Sequence, residues 1–254
     1  LMLIGPTLPQ PLVLNIEGDP LSRPYIIMTQ HLMETCGAQA EIAGNQIIVK
    51  PGRYRSSAFT IERDWSAAAF WMSFGVLSNK TNLLLSGLKE QSIQGDSAAM
   101  DLFQNMGIDC TFEENGLRLT KSNRQNKVSE WNFRNHPDLV QPAVFALAGL
   151  KKEFTLHGLD NLRLKETDRI EAMMTELKKM GIHGDVKEHS LHLAPGSPTA
   201  PEEPFLSYED HRMVMAVAPM SMLFPEIHIE GPMAVAKSYP GFWKQVEKFV
   251  DVRP

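Results

Sequence analysis

Only two cysteines, Cys36 and Cys110, occur in 254 residues. So few exclude a disulfide framework and predict a reducing, cytoplasmic setting, with both as core or helix-end fillers. No apolar run reaches the roughly 18–20 residues that a membrane helix needs, and no signal peptide is visible. Positive charge is not in excess: 25 Lys and Arg stand against 30 Asp and Glu, a formal net charge of −5. That argues against broad nucleic-acid or membrane-surface binding, but not against a local cationic pocket. There is no glycine-rich phosphate loop, no HExxH and no nucleophile elbow. The eight histidines show no metal-ligand spacing, and His189 and His192 are expected on a surface hairpin. What remains is ordinary for a globular α/β chain, with 43% hydrophobic and 22% charged residues.

Against that background one segment stands out, Asn161-Leu-Arg-Leu-Lys-Glu-Thr-Asp-Arg169. Five charges of both signs fall within seven residues, Arg163 to Arg169, ahead of an apolar-periodic run to Met180. A helix start has unpaired N–H groups and a positive dipole end, so it attracts anions. Arg163, Lys165 and Arg169 would strengthen a phosphate or carboxylate site, while Glu166 and Asp168 suggest proton chemistry. The same pattern also describes a capped, salt-bridged helix start with Thr167 as N-cap.

The chain repeats itself. Three segments align without gaps around Gly37, Gly107 and Gly181, each following an amphipathic helix where a positive φ is wanted. Ten residues after each glycine, at Ile47, Leu117 and Leu191, an alternating strand begins behind a predicted hairpin turn. Upstream lie strands over 12–18, 81–87 and 153–158, with a fourth over 226–231. Each strand should follow a second helix, apolar almost all round and therefore buried. Asp64, Asp138 and Asp210 open these helices, and Pro142 and Pro219 are expected to bend two of them. The unit reads strand, buried helix, strand, helix, hairpin, over about 70–75 residues. Gly5 matches Gly75 and Gly149, each 32 residues before its helix-ending glycine. The first buried helix is thus expected to start before residue 1. The helix expected near 240–250 has no hairpin after it, so the chain is expected to be part of a larger protein.

The polar residues of interest fall at equivalent helix starts: Ser22 and Tyr25; Ser92, Gln94 and Asp96; Lys165, Glu166 and Arg169; Asp138; His211 and Arg212; Lys237. Capping accounts for Asp64, Asp138 and Asp210 alike, and for Ser92, Gln94 and Asp96. His211 fits a satisfied, partly buried histidine as well as a functional one. Arg212 differs, because a cation at a helix N-terminus costs stability unless an anion lies nearby.

The segments Leu-Ser22-Arg-Pro-Tyr25-Ile, Ser92-Ile-Gln-Gly-Asp96, Asn135-His-Pro-Asp138, Asn161 to Arg169, Asp210-His-Arg-Met-Val-Met215 and Lys237-Ser-Tyr-Pro240 occur in that order. Together they resemble the 5-enolpyruvylshikimate-3-phosphate synthase family across essentially the whole chain. The resemblance implies an inside-out α/β barrel of repeated βαβαββ units, incomplete here, with buried helices and sheets outside. Residues 1–61 would be the last unit of a first domain and 62–254 a second domain. It implies transfer of the enolpyruvyl group of phosphoenolpyruvate to the 5-hydroxyl of shikimate 3-phosphate, by addition and then elimination. No cofactor or metal is implied, nor any nucleic-acid or membrane partner, and the full-length enzyme would be a monomer. By motif position Asp138 resembles the base for the hydroxyl, and Glu166, with Lys237, the group serving the methylene carbon. Arg169, His211, Arg212 and Lys237 resemble phosphoenolpyruvate contacts. Ser22, Tyr25, Asp138, Asn161 and Lys165 resemble shikimate 3-phosphate contacts. The family's N-terminal portion, which carries further substrate contacts, is missing, so the isolated chain is expected to be inactive or nearly so. The sister UDP-N-acetylglucosamine enolpyruvyl transferases share the fold but not these motifs. A non-catalytic fragment or a solenoid-like binding module are the readings from other classes.

Overall fold

A computed structural model describes residues 1–122, 128–165 and 167–253. The chain divides into two compact units, 1–63 with 90–95, and 64–89 with 96–254. The excursion 90–95 belongs to the first unit through Glu62, whose carboxylate accepts bonds from the Ser92 hydroxyl, the Ile93 N–H and the Gln94 side chain.

In the first unit, β1 (Leu12–Asn15) leads to α1 (Arg23–Thr35) and the hairpin of β2 (Ala40–Ala43) and β3 (Gln46–Val49). Pro24 fits the first turn of α1, where its missing N–H costs nothing. β3 lies between β1 and β2, antiparallel to both. Met2, Met33, Ala38, Ile47 and Val49 form its core.

The second unit opens with α2 (Trp65–Leu77), capped by Asp64, which accepts the Ala67 N–H at 3.2 Å. Then come β4 (Asn82–Ser86), α3 (Ala99–Gln104), β5 (Ile108–Glu113) and β6 (Gly116–Lys121). β7 (Glu130–Asn132), α4 (Val140–Gly149), β8 (Phe154–His157), α5 (Arg169–Lys179), β9 (Gly184–Val186) and β10 (Ser190–Leu193) follow. The last elements are β11 (Phe205–Leu206), α6 (His211–Val217), β12 (Ile229–Glu230) and α7 (Phe242–Val246). The sheet orders β4-β6-β5 and β8-β10-β9 reproduce β1-β3-β2. Equivalent residues point inward in all three: Ile47 and Val49, Leu117 and Leu119, Leu191 and Leu193 are buried. The helix-ending glycines have φ of 81°, 111° and 73° at Gly37, Gly107 and Gly181. The repeat predicted from spacing is therefore a structural repeat.

Helices α2, α4 and α6 pack on one another, and α2 also meets β4, β5 and β6. All ten residues of α4 are buried, as are Met213–Val217 of α6. Each fully buried Leu or Phe there contributes roughly 2–3 kcal/mol. α4 and α6 serve as crossovers, since β7 runs parallel to β8 and β11 to β12. Pro142 lies in the first turn of α4 and is tolerated there. Pro219 follows the end of α6 and starts a 3-10 helix over Ala218–Met222. Trp71 stacks on Phe74 at 5.3 Å and meets Phe242 at 5.8 Å, which anchors α7 against α2. The expected strand over 226–231 shrinks to Ile229–Glu230, and the expected helix over 240–250 to Phe242–Val246. Cys110 is half-buried on β5, and burial pushes its thiol up to about 12, as befits a filler. On the β9–β10 hairpin His189 is exposed, as expected, while His192 is half-buried in β10, its Nδ1 3.1 Å from the Thr155 hydroxyl.

Gly116 is the tightest glycine of the hairpins. Its φ is +143°, and an added Cβ would stand 2.2 Å from the Leu85 carbonyl oxygen. The obstacle is backbone in the paired strand β4, which cannot swing aside. Gly116→Ala should cost about 2–4 kcal/mol in urea unfolding. A change below about 0.5 kcal/mol would contradict this geometry.

Candidate active site

Helix starts deliver four charged side chains to one place in the second unit. Asp168 caps α5 by accepting the Ile170 and Glu171 N–H groups, both at 3.1 Å, so Arg169 is the first helical residue. Asp210 caps α6, its Oδ1 accepting the Arg212 N–H at 2.8 Å. Its Oδ2 accepts Arg169 Nε at 2.8 Å. This inner pair is dry, with Arg169 1% and Asp210 0% exposed. The Asp138 carboxylate lies next in line, 3.4 Å from Arg169 Nη1 and 2.8 Å from Arg212 Nη2. Arg212 Nη1 also reaches the Asp138 carbonyl at 3.4 Å. Charges therefore alternate along Asp210, Arg169, Asp138 and Arg212. The outer pair is more open, each side chain 15% exposed.

Two expectations from spacing are corrected here. Asp138 does not cap a helix like Asp64 and Asp210. It sits within a 3-10 turn, Pro137–Leu139, and Leu139 occupies the cap position of α4 without a side-chain bond. Two guanidiniums take its carboxylate instead. Thr167 is not the cap of α5, because Asp168 accepts two N–H groups there. The anion that answers Arg212 at its helix start is internal, the Asp138 carboxylate.

Other expected site residues stand as follows. His211 Nδ1 lies 3.9 Å from Asp210 Oδ1. Lys237 ends a 3-10 helix, Pro232–Lys237, and donates to the Glu209 carbonyl at 2.8 Å, one residue before Asp210. Asn161 and Lys165 flank a 3-10 turn, Leu162–Leu164, with Asn161 half-buried and Lys165 exposed. Arg163 is spent on Asp168 at 2.9 Å, inside the charged run itself. Glu166 lies outside the described residues. Ser22 and Tyr25 belong to the first unit: Ser22 precedes α1 with φ 56°, and Tyr25 is 36% exposed.

Two buried polar residues, Gln141 and Glu176, escaped sequence reasoning as parts of this region, while Asp96 was expected there as a helix cap. Gln141 on α4 donates to Asp210 Oδ2 at 3.5 Å, a weak bond. Asp96 is 3% exposed, accepts a bond from the Ser66 hydroxyl and does not cap its helix. Its carboxyl is pushed up to about 6, chiefly by burial, against the Ser66 bond; Asp138 raises it further and Arg212 lowers it. Glu176 on α5 is fully buried. A lone acid beside the stripe of Ile170, Met173, Leu177 and Met180 was the available signal.

The arrangement suits an anionic ligand. A guanidinium fork matches a carboxylate or phosphate, and Arg212 holds its partner where solvent reaches. Asp138 adds a carboxylate able to accept a proton next to that ligand.

Comparison with known proteins gives a consistent result. Residues 1–246 match the family model described as EPSP synthase (3-phosphoshikimate 1-carboxyvinyltransferase). The 3-phosphoshikimate 1-carboxyvinyltransferase of Bacteroides fragilis strain YCH46 is 41% identical over 251 residues, 98% of this chain and 61% of that protein. That of Enterobacter sp. strain 638 is 30% identical, with 98% and 58% covered. The solved EPSP synthase of Acinetobacter baumannii superposes with a TM-score of 0.76 at 20% identity, covering 97% of this chain and 58% of that one. The enolpyruvyl transferase NikO of Streptomyces tendae gives 0.69 at 18%, covering 99% and 58%. At such identities these structures speak to the mixed α/β fold alone. The chain spans about 60% of the length of the relatives it matches.

Proposed function

The chain belongs to the EPSP synthase family, and on that premise we propose that it carries one wall of an enolpyruvyl transfer site. The carrying observation is the Asp138 carboxylate held between Arg169 and Arg212 at two helix starts. Phosphoenolpyruvate brings a carboxylate and a phosphate, and Arg212 with His211 and Lys237 would receive them. Arg169 would act from behind, since its fork is committed to Asp210 and Asp138. Asp138 would take the proton of the attacking 5-hydroxyl of shikimate 3-phosphate. Glu166 would serve the methylene carbon, with Lys237. Ser22, Tyr25, Asn161 and Lys165 would contact shikimate 3-phosphate. Bringing two anions together against their repulsion calls for this density of cations.

The fold is read as part of an inside-out barrel, with 1–61 a unit of one domain and 62–254 another domain. The mutual packing of α2, α4 and α6 and the threefold sheet pattern support that reading. The first unit exposes Leu3, Ile4, Val13 and Ile27, which fits a unit covered by further repeats in longer relatives.

Titration of the chain with phosphoenolpyruvate, followed by 31P NMR, should show weak binding that Arg212→Ala reduces at least about tenfold. Binding unchanged in a folded Arg212→Ala protein would move the site elsewhere. Phosphate release from shikimate 3-phosphate and phosphoenolpyruvate should be negligible for the chain alone. It should appear on mixing with a folded protein that supplies the remaining repeats. Turnover by the chain alone at the rate of a complete relative would overturn the one-wall reading. Offering UDP-N-acetylglucosamine instead should give no phosphate.

A further inference from the structure

We propose that Glu176 is a positioning residue. It fixes the segment 204–210 along α5, and so sets Asp210 against Arg169 and the Glu209 carbonyl against Lys237.

Four ties join α5 to alternate residues of that segment. Lys179 Nζ donates to the Pro204 carbonyl at 2.7 Å. Glu176 Oε2 accepts the Leu206 N–H at 3.1 Å, and Oε1 the Tyr208 hydroxyl at 2.7 Å. Arg169 Nε donates to Asp210 Oδ2 at 2.8 Å. Phe205 and Ser207 turn their N–H groups to the neighbouring strand, which leaves the Pro204 carbonyl and the Leu206 N–H on the edge toward α5; Tyr208 and Asp210 add side chains from the turn that follows, and Arg169 and Glu176, seven apart, share a helix face. Glu176 supplies the two central ties. It is fully buried and balanced by Lys179 Nζ at 2.8 Å.

The turn needs such a hold. Tyr208 and Glu209 have φ of 53° and 54°. Paired positive φ belongs to turns that prefer glycine or asparagine, and a larger side chain pays for it in strain. The Asp210 N–H to Ser207 carbonyl bond, 2.9 Å, closes the turn without relieving that strain. Burial and the Glu176 bond raise the Tyr208 hydroxyl above its ordinary range, consistent with a firmly held phenol. Beyond the turn the chain enters α6, so any slip along α5 moves Asp210, His211 and Arg212 together.

The test reads Arg169 directly, through the solvent exchange of its Nε–H in 15N-labelled chain. Tyr208→Phe and Glu176→Gln should speed that exchange at least about tenfold while far-UV circular dichroism stays native. Ser221→Ala, which removes a hydroxyl bond to the Ala218 carbonyl in the same unit, should leave it unchanged. Folded variants that lose melting temperature but keep the wild-type Arg169 exchange would overturn the proposal. If Glu176→Gln fails to fold, Tyr208→Phe decides alone. The ligand arm rests on the proposed function: both variants should weaken phosphoenolpyruvate binding by a similar factor. A wild-type chain that binds no phosphoenolpyruvate would fail that reading, while the Arg169 signal would still judge Glu176.

Discussion

Arg169→Ala is expected to destabilise the second unit by about 3–5 kcal/mol, the largest single loss in this site. The reason is what it leaves behind. Asp210 is fully buried, and without Arg169 Nε its Oδ2 keeps, among the described residues, only the 3.5 Å contact from Gln141. Asp138 loses one of its two guanidiniums as well. A buried carboxylate stripped of its counter-ion costs far more than the pair gained when intact. Urea unfolding can be followed by tryptophan fluorescence, since Trp65, Trp71, Trp131 and Trp243 all lie in the second unit. Adding Asp210→Asn, which keeps an oxygen to cap α6, should recover a large part of the loss. A loss under about 1 kcal/mol in the single variant would mean the inner pair is not the dry ion pair described. Arg212→Ala, at the open end of the same row, should cost much less stability and more ligand affinity.

Asp96→Asn should act in the opposite direction. The Asp96 carboxyl is pushed up to about 6 from an ordinary value of 3.8, so the folded state binds a proton that the unfolded state has released between those values. Stability from this group is therefore complete below about pH 4 and is lost as pH rises through about 6. At pH 7.5 the ionised carboxyl costs up to about 3 kcal/mol relative to its protonated form. Asparagine keeps an acceptor for Ser66 and carries no charge. The variant should be about 1–3 kcal/mol more stable than the parent at pH 7.5, nearly equal at pH 4, and flatter in between. Equal or lower stability at pH 7.5 would show that the Asp96 carboxylate is better compensated than its burial indicates.

How far the sequence carried depends on the range of the interactions. Gly37, Gly107 and Gly181 were legible because a helix-ending positive φ is a local demand. The buried helices were legible because α2 and α4 are apolar on every side. Spacing alone did not set Asp138 apart, because it matches the spacing of Asp64 and Asp210, which do cap. What separates it is the arrival of guanidiniums from α5 and α6, 31 and 74 residues away. Asp96 meets Ser66 across 30 residues, and Glu176 meets Tyr208 across 32, so neither pairing leaves a trace in local pattern. The start of α5 shifted by one residue because Asp168 satisfies two N–H groups where Thr167 was expected to satisfy one. Motif order had named Asp138, Arg169 and Arg212 together where spacing could not.

The threefold sheet pattern has a consequence for how the chain is made. In β1-β3-β2, β4-β6-β5 and β8-β10-β9, the strand in the middle is the last one synthesised. Among the described residues, β1 and β4 have no strand neighbour until a helix and a whole hairpin have left the ribosome, and β8 has only the short parallel strand β7. Meanwhile α2 emerges well before α4 and α6, with no water-compatible side to turn outward. Closure is therefore late and non-local, which slows folding and leaves apolar surface open to aggregation. The yield of this protein in a cell should then respond to synthesis rate and chaperone supply as well as to final stability.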